Sequence, residues 1–182
     1  GIEHLYCGME TGSDLILRKI NKGFDAATII ISGTKAKEAG MVLSEFTLFG
    51  IGGKELAEEN AVETAKVLNV IKPDFVRVHA TGIKLSSEMW NYVKNKELTL
   101  QSEEEIVSEQ KIMLELLADD MDCIYMNEHI VNLLLEVRGN IRTDKQNMLE
   151  TINTYLQLPK QEQELFNLGR RLNIMFFLAD LN

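Results

Sequence analysis

The strongest constraint on the fold is the alternation of short strand-like runs with longer helix-like segments over residues 1–82. The strand-like runs lie at residues 4–7, 41–49 and 75–79 and consist mainly of β-prone residues. The segments between them carry apolar residues at helical spacing. Short connections between elements in this order are typical of parallel βα units. The sequence therefore predicts an α/β fold, either a doubly wound sheet or part of a (β/α) barrel.

Helix boundaries in this half are marked by capping and stop residues. Ser13 is a good N-cap, Gly40 is a natural helix terminator, and Pro73 cannot continue a helix. The predicted helices therefore run over residues 14–21, 26–39 and 54–72.

Residues 85–182 have a different character. Their patterns are mostly helical, with a terminal helix predicted over residues 160–178 and one brief strand-like stretch at 123–126. We therefore predict two units, a β/α unit over residues 1–84 and a mostly helical C-terminal extension over residues 85–182.

The overall charge excludes one broad class of function. The chain has 19 Lys and Arg residues against 28 Asp and Glu residues, a formal net charge of −9. A general nucleic-acid-binding protein needs a basic surface, so we expect no such binding. No apolar run approaches the roughly 20 residues that a membrane helix requires. We expect a cytoplasmic protein with no membrane partner.

The negative charge is concentrated in one stretch. Residues 97–136 contain 11 acidic residues and one basic residue, so the rest of the chain is close to neutral. One interpretation is a solvated helix face, and the other is a docking surface for a basic partner.

Two cysteines, Cys7 and Cys123, are the only thiols in the chain. They are too few for a disulfide framework or for a zinc or iron–sulfur site held by this chain alone. We therefore predict no metal site within these residues. His79 and His129 have no His, Cys or acidic partner at ligand spacing, so we interpret them as structural or surface histidines.

Two glycine-containing segments follow strands, where parallel α/β folds collect their ligands. These are GMETGS at residues 8–13 and GIGG at residues 50–53. Glycine lets the backbone approach a ligand, and helix N-terminal amides favour anionic or polar groups. The carboxylate of Glu10 suits a ribose diol or an ammonium group. Both segments are also compatible with tight turns that serve only packing.

The same residues resemble a known family. GIEHLYCGMETGSD at residues 1–14, with INKG at 20–23, resembles the "GxEsGsdxxLxxinKG" stretch of the radical S-adenosylmethionine (radical SAM) superfamily. TLFGIGGKE at 47–55 resembles the fifth strand and its following turn, and KPDFV at 72–76 resembles the start of the sixth strand. The resemblance covers residues 1 to about 82. It is closest to the Elp3/MiaB-like and anaerobic coproporphyrinogen-oxidase-like branch of the Fe–S oxidoreductases.

This resemblance implies the C-terminal portion of a partial (β/α)6 TIM-like barrel, beginning at its fourth strand. The full-length parent would be a radical SAM oxidoreductase that reductively cleaves S-adenosylmethionine at a [4Fe–4S] cluster. The resulting 5′-deoxyadenosyl radical would act on an unknown substrate. The family's CxxxCxxC cluster motif is absent here. We therefore expect a fragment that does not hold the cluster and is inactive alone.

The resemblance also implies a set of cofactor-binding residues. Glu10 matches the acidic residue of the fourth strand that contacts S-adenosylmethionine, and the backbone after the fifth strand matches the segment beside the adenine. The residues implied at the cofactor are Glu10, Thr11, Ser13, Gly50, Ile51, Gly52, Gly53 and His79. No catalytic residue is predicted.

Two other functions fit the residues without the family. One is a cluster-free β/α binding module that uses the acidic helical surface. The other is a phosphate-binding β/α-barrel enzyme with residues 50–53 as its anion site. An isolated half barrel that begins at the fourth strand would leave one edge of that strand unpaired, where the third strand should lie, and exposed edges pair with other chains. We therefore expect homodimers or aggregates formed through this edge.

Overall fold

A five-stranded sheet organises the chain in the computed structural model, which describes residues 1–181. The strands are β1 (His4–Glu10), β2 (Val42–Phe49), β3 (Phe75–Ala80), β4 (Ile124–Met126) and β5 (Gly139–Asn140). They lie in the sheet in chain order, with β1 to β4 parallel and β5 antiparallel to β4. The predicted α/β class with parallel strands is confirmed.

Within residues 1–181, seven α-helices connect and flank the strands. They are α1 (Asp14–Lys19), α2 (Ala26–Glu38), α3 (Ala57–Ile71), α4 (Glu88–Lys94), α5 (Glu103–Leu116), α6 (Ile141–Gln157) and α7 (Lys160–Arg171). Side-chain caps fix several of their starts, as expected of Ser and Asp at this position. The Ser13 side chain accepts a hydrogen bond from the Ile16 amide, and Ser102 forms a reciprocal capping box with Glu105.

The sheet has two chemically different faces, because successive side chains of a strand point to opposite sides. One face, which we call the helix face, packs against α2, α3 and α5. Its side chains are apolar and fully buried at Leu43, Val76, Val78 and Tyr125. At ~25 cal/mol per Å², burying one such side chain stabilises the fold by about 1.5–3 kcal/mol, so this face is the main core of the protein.

The opposite face, which we call the open face, carries aromatic and cationic side chains. Its members contact one another through stacked rings and cation–π pairs, and they are His4, Tyr6, Phe46, Phe75, Arg77 and His79. None of the six is fully buried, and Tyr6 is 60% exposed. Parallel sheets are normally covered on both faces. The open face of this parallel sheet therefore lacks a covering layer within residues 1–181.

The sheet does not stop at residue 84. Strands β4 and β5 come from residues 85–182 and extend the sheet beyond β3, and α5 packs against α3. The two predicted units therefore share one sheet and one core.

The predicted terminal helix over residues 160–178 is too long, since α7 ends at Arg171. Asn173 adopts a left-handed conformation with φ of 56°, which turns the chain back. The side chain of Arg170 holds this turn. Its guanidinium donates hydrogen bonds to the backbone carbonyls of Ile130, Asn132, Leu133 and Met175. These long-range bonds have no signature in the local sequence.

The acidic stretch over residues 97–136 is paired largely with cations of the same chain. The pairs are Glu103 with Arg171, Glu104 with Lys160, Glu105 with Lys54, Glu115 with Lys111, Asp119 with Lys145, Asp120 with Lys72 and Glu128 with Arg138. Most of these side chains are solvent-exposed, so each pair adds little stability. Their effect is to neutralise a surface that the sequence alone shows as strongly negative.

None of the helices in residues 1–181 is both long and apolar enough to cross a bilayer.

Gly12 gives a test of how tightly the first turn packs on α3. A Cβ at this position would lie 2.2 Å from the backbone oxygen of Glu63, which cannot rotate away. We predict that Gly12→Ala lowers the free energy of unfolding by about 1–3 kcal/mol, the usual cost of overpacking a core. The measurement is urea denaturation followed by circular dichroism.

Gly82 provides the matched control, since a Cβ there would meet no atom within 4 Å. Gly82→Ala should leave the free energy of unfolding within about 1 kcal/mol of the parent chain. Equal stabilities for the two variants would show that the turn is not packed on α3 as described.

Candidate functional site

The carboxyl ends of β1, β2 and β3 bring three segments to one edge of the sheet. They are the turn over residues 10–13, the turn over residues 50–53 and the end of β3 at His79. This is the edge at which α/β proteins of parallel topology bind ligands. The predicted site residues therefore lie together, but their side chains and amides have different environments.

Glu10 occupies an unusual conformation at the end of β1. Its φ is 63°, in the left-handed region that non-glycine residues avoid, and the strand register shifts between Gly8 and Glu10. Lys22 Nζ donates a hydrogen bond to Glu10 Oε1 at 2.8 Å. A Cβ at Gly8 would come within 2.6 Å of that same oxygen. The glycine therefore makes room for the Glu10 carboxylate beside the strand. Strained residues of this kind concentrate at binding sites.

Thr11 and Ser13 are fully buried and engaged in the turn itself. Thr11 Oγ1 accepts a hydrogen bond from the Ser13 amide at 3.0 Å. Ser13 Oγ caps α1 and donates to Glu59 Oε1 at 2.9 Å. In this arrangement the two hydroxyls fix the turn against α1 and α3. Of the residues in this turn, Glu10 is the one that lies at the carboxyl-end edge of the sheet with its side chain partly exposed.

The glycine turn after β2 is closed by residues of the C-terminal half. Gly50 and Gly53 have φ of 79° and 66°, which explains why glycine is needed at both positions. Ile51 is buried, and a Cβ at Gly53 would lie 2.9 Å from Leu98 Cγ and from the Thr99 carbonyl oxygen. The Gly50 amide donates to Glu109 Oε2 at 3.0 Å. That amide is therefore already satisfied by a protein carboxylate.

Glu109 is the residue that ties α5 to this turn. Besides the Gly50 amide, its carboxylate accepts hydrogen bonds from Asn60 Nδ2 at 2.5 Å and from Gln101 Nε2 at 2.8 Å. Burial raises the pKa of Glu109 to about 7, although these three hydrogen bonds act in the opposite direction. The sequence prediction missed Glu109. The one sequence signal is its position, since Glu109 lies three residues after Ile106 and four before Met113, on the apolar side of the predicted helix.

His79 and His129 form a pair, which the sequence interpretation of two isolated histidines did not anticipate. Their ring centroids lie 4.2 Å apart, and Phe46 packs edge-on against His79. Burial and the neighbouring His129 lower the pKa of His79. Asn132 holds the loop in place, since its side chain accepts from the Ala80 amide at 2.8 Å and donates to the Val78 carbonyl at 2.7 Å.

Arg77 lies in the middle of the open face within a cage of three aromatic rings. Its Cζ is 5.5 Å from the ring centroid of Tyr6, 6.0 Å from that of Phe46 and 5.7 Å from that of Phe75. Its Nε is shielded from solvent and has no hydrogen-bond partner within residues 1–181. A buried donor without an acceptor costs about 1–3 kcal/mol. In the sequence FVRVHA at residues 75–80, the two valines alternate with Arg77 and His79, which indicates that Arg77 lies on the face opposite the valines.

A separate cavity of about 360 Å³ lies on the helix face, between β1 and α2. Its lining includes the polar or charged residues Cys7, Lys22, Thr28, Ser32 and Glu45. Glu45 Oε2 is buried and has no hydrogen-bond partner in the described chain. Burial, assisted by the negative charge of Glu10, raises the pKa of Glu45 to about 8. This cavity is on the other side of the sheet from Arg77 and the histidine pair.

The two cysteines stand apart in different environments. Burial raises the pKa of Cys7, and it raises the pKa of Cys123 to about 12, so both thiols are protonated at neutral pH. Within residues 1–181 no group of three or more His, Cys, Asp or Glu side chains is arranged to hold a metal ion. The residues present therefore do not fit a [4Fe–4S] cluster.

Comparison with known proteins identifies a similar fold. No protein-family profile matches the sequence, and no curated protein sequence matches it significantly. The structure is similar to that of the archaeal Methanocaldococcus infernus Elp3 with an N-terminal deletion, with a TM-score of 0.54 and 18% sequence identity. The similarity covers 64% of this chain and 28% of the Elp3 chain. It shows a shared fold, and this chain corresponds to less than a third of that protein.

Glu45 gives a test of the buried charges around β1. The folded chain retains a proton on Glu45 between the ordinary glutamate pKa of 4.5 and the raised pKa of about 8, whereas the unfolded chain releases it. The free energy of unfolding should therefore fall as pH rises through this window, by a few kcal/mol at most (about 1.4 kcal/mol per pKa unit).

Glu45→Gln removes this titration, so we predict that the variant gains stability relative to the parent chain between pH 5 and pH 8. Urea denaturation at several pH values measures the difference. Glu38→Gln, at an exposed position on α2, is the control and should preserve the parent's pH slope. A parent chain and a Glu45→Gln variant with parallel pH profiles would contradict the assignment.

Proposed function

We propose that this chain supplies the last part of a radical SAM barrel, with the open face lining the barrel interior. The observation that carries the proposal is the Glu10 carboxylate, held beside Gly8 at the carboxyl end of β1 in a sheet that shares its fold with part of Elp3. The sequence resemblance of residues 1 to about 82 assigns this same glutamate to S-adenosylmethionine. The local geometry and the sequence resemblance thus both support Glu10, and the fold similarity supports the barrel-like sheet that carries it.

The fit of the predicted pocket to S-adenosylmethionine differs from residue to residue. Glu10 presents a carboxylate, 24% exposed at its side chain, that could accept hydrogen bonds from ribose hydroxyls or an ammonium group. His79 stands at the same edge and offers a flat ring surface beside Phe46. Thr11 and Ser13 are engaged within the turn, and their proposed role is to support Glu10.

The turn over residues 50–53 would contribute shape to the pocket. The Gly50 amide is bound to Glu109, so the backbone here could face the adenine only through its remaining groups. Glu109, Asn60 and Gln101 would keep the turn in one conformation. The role proposed for α5 is thus to brace this wall from behind.

When bound, S-adenosylmethionine would supply radical chemistry: one electron from the cluster would cleave it to methionine and a 5′-deoxyadenosyl radical able to abstract hydrogen from a substrate. The iron–sulfur cluster that delivers the electron would be held by cysteines outside residues 1–181, because the residues described do not fit it. The proposed contribution of this chain is to bind and orient the cofactor, line the substrate cavity and exclude water.

Two other functions receive less support from the same structure. A phosphate site on residues 50–53 would need free amides, and the Gly50 amide is already bonded. A binding module with an acidic docking surface would need free carboxylates, and many acidic side chains of residues 97–136 are paired within the chain.

The test is performed on the product of the complete coding region that contains these residues, reconstituted anaerobically with iron and sulfide. We predict a [4Fe–4S] signal in electron paramagnetic resonance and formation of 5′-deoxyadenosine from S-adenosylmethionine. Glu10→Gln should weaken S-adenosylmethionine binding about 10- to 100-fold, because a hydrogen bond to a charged group contributes about 1.5–3 kcal/mol.

Glu38→Gln, on the exposed side of α2, serves as the matched charge control and should bind the cofactor like the parent protein. Absence of both a cluster and cofactor cleavage would overturn the proposal. Equal binding by the Glu10→Gln protein would remove Glu10 from the site.

The outer edge of β1 leads to a proposal about association. Within residues 1–181 β1 pairs only with β2, so its other edge has free amides and carbonyls. We propose that residues 1–182 expressed alone form homodimers through this edge. Light scattering at increasing concentration should show a mass above that of the 20.6 kDa monomer. Tyr6→Lys, which adds a charge to the edge strand, should shift the equilibrium towards monomer. A monomeric parent chain at all concentrations would contradict the proposal.

A further inference from the structure

Arg77 is a cation without an anionic partner on the open face. Within the described chain it forms no ion pair, and unlike the guanidinium of Arg170, which is bonded to backbone carbonyls, it has no hydrogen-bond acceptor at its shielded Nε. Its Nε is closed off from water and bonds to no acceptor. The guanidinium of Arg77, in the centre of the open face, therefore has no anionic partner within residues 1–181.

The aromatic cage explains how Arg77 is held but not what it binds. The rings of Tyr6, Phe46 and Phe75 interact with the guanidinium through cation–π contacts, which do not use its N–H groups as hydrogen-bond donors to oxygen. Those N–H groups form a planar fork that matches the oxygens of a carboxylate or a phosphate. Caging fixes the side chain before binding, so little conformational freedom is lost when an anion arrives.

The charges around Arg77 favour an anion. Glu10 is on β1, two strands away, and its carboxylate is compensated by Lys22. The Arg77 guanidinium reaches across β2 to the Tyr6 ring of β1, but it forms no ion pair with Glu10 within residues 1–181. His79 follows Arg77 by two residues and therefore stands on the same face. The cation at Arg77 and the proposed cofactor contact at Glu10 are thus two charged groups at the open face that are not paired with each other within residues 1–181.

We propose that Arg77 binds a carboxylate or phosphate group of the substrate. The assignment of this anion to a substrate rests on the proposed radical SAM function, whereas the anion site itself does not. The exposed Tyr6 ring, stacked on His4 with centroids 4.2 Å apart, extends the site with a flat apolar surface. The ligand class is therefore an organic anion with a planar or apolar body beside its charged group.

The first experiment titrates residues 1–182 with inorganic phosphate and, separately, with acetate at constant ionic strength. Nuclear magnetic resonance of the ¹⁵Nε–H group of arginine and of the histidine rings reports the response. We expect saturable shifts at Arg77 and at His79, and the ratio of the two affinities distinguishes a phosphate from a carboxylate site. Linear shifts shared by all arginines would overturn the proposal.

Two variants locate the site. Arg77→Gln should weaken the saturable binding, as monitored at His79, at least tenfold. Arg142→Gln, which removes an exposed arginine at the start of α6, should leave it unchanged. Arg77→Lys keeps the charge but loses the planar fork and should bind with intermediate affinity. If Arg77→Gln does not fold, the residue-specific shift of Arg77 in the parent chain decides the question.

A third arm separates this inference from the proposed function. S-adenosylmethionine carries its own carboxylate, so it is added to the phosphate-saturated chain. Displacement of the anion from Arg77 would assign the site to the cofactor and overturn the substrate assignment. Anion binding in a protein that fails to cleave S-adenosylmethionine would retain the anion site and reject the radical chemistry. Cleavage without anion binding would reject Arg77 alone.

Discussion

The structure depends on burying one face of a parallel sheet and leaving the other free. Helices α2, α3 and α5 cover the helix face, where Val76 and Val78 of β3 are completely buried. The alternating residues Phe75, Arg77 and His79 of the same strand therefore must emerge on the open face. One stretch of six residues thus provides both the core and the candidate site. Each property of the open face, including its aromatic rings and its unpaired cation, follows from this division.

The C-terminal half is part of the same construction. It contributes two strands to the sheet, and Glu109 of α5 reaches the turn that follows β2. Arg170 of α7 holds the carbonyls of the loop that carries His129 and Asn132. The helical extension therefore positions both walls of the candidate site, the glycine turn on one side and the histidine pair on the other.

Local sequence patterns were sufficient to predict the elements whose apolar residues recur with a single helix or strand periodicity. The strands at 41–49 and 75–79 and the long helix before Pro73 were predicted because their apolar spacing and stop residues are unambiguous. Strands β4 and β5 contain three and two residues, too few for an alternation pattern, so their place in the sheet could not be predicted. The end of α7 was missed because side-chain bonds from Arg170 to distant carbonyls determine it.

The same distinction applies to the candidate site. Glu10 was identified because it follows a strand within a glycine-containing motif. The pairing of His79 with His129 joins residues 50 positions apart and needs the fold to be known. The burial of Glu109 and the cage around Arg77 likewise arise from packing between elements that are distant in sequence.

The most direct test of the central claim is to determine the coding sequence upstream of Gly1. Our account predicts a CxxxCxxC motif following a strand-like run about 100–150 residues earlier, as required for the first half of a radical SAM barrel. Those strands would pair with the free edge of β1 and enclose the open face. An upstream region without this cysteine motif would contradict the account and leave a cluster-free β/α domain whose function is binding.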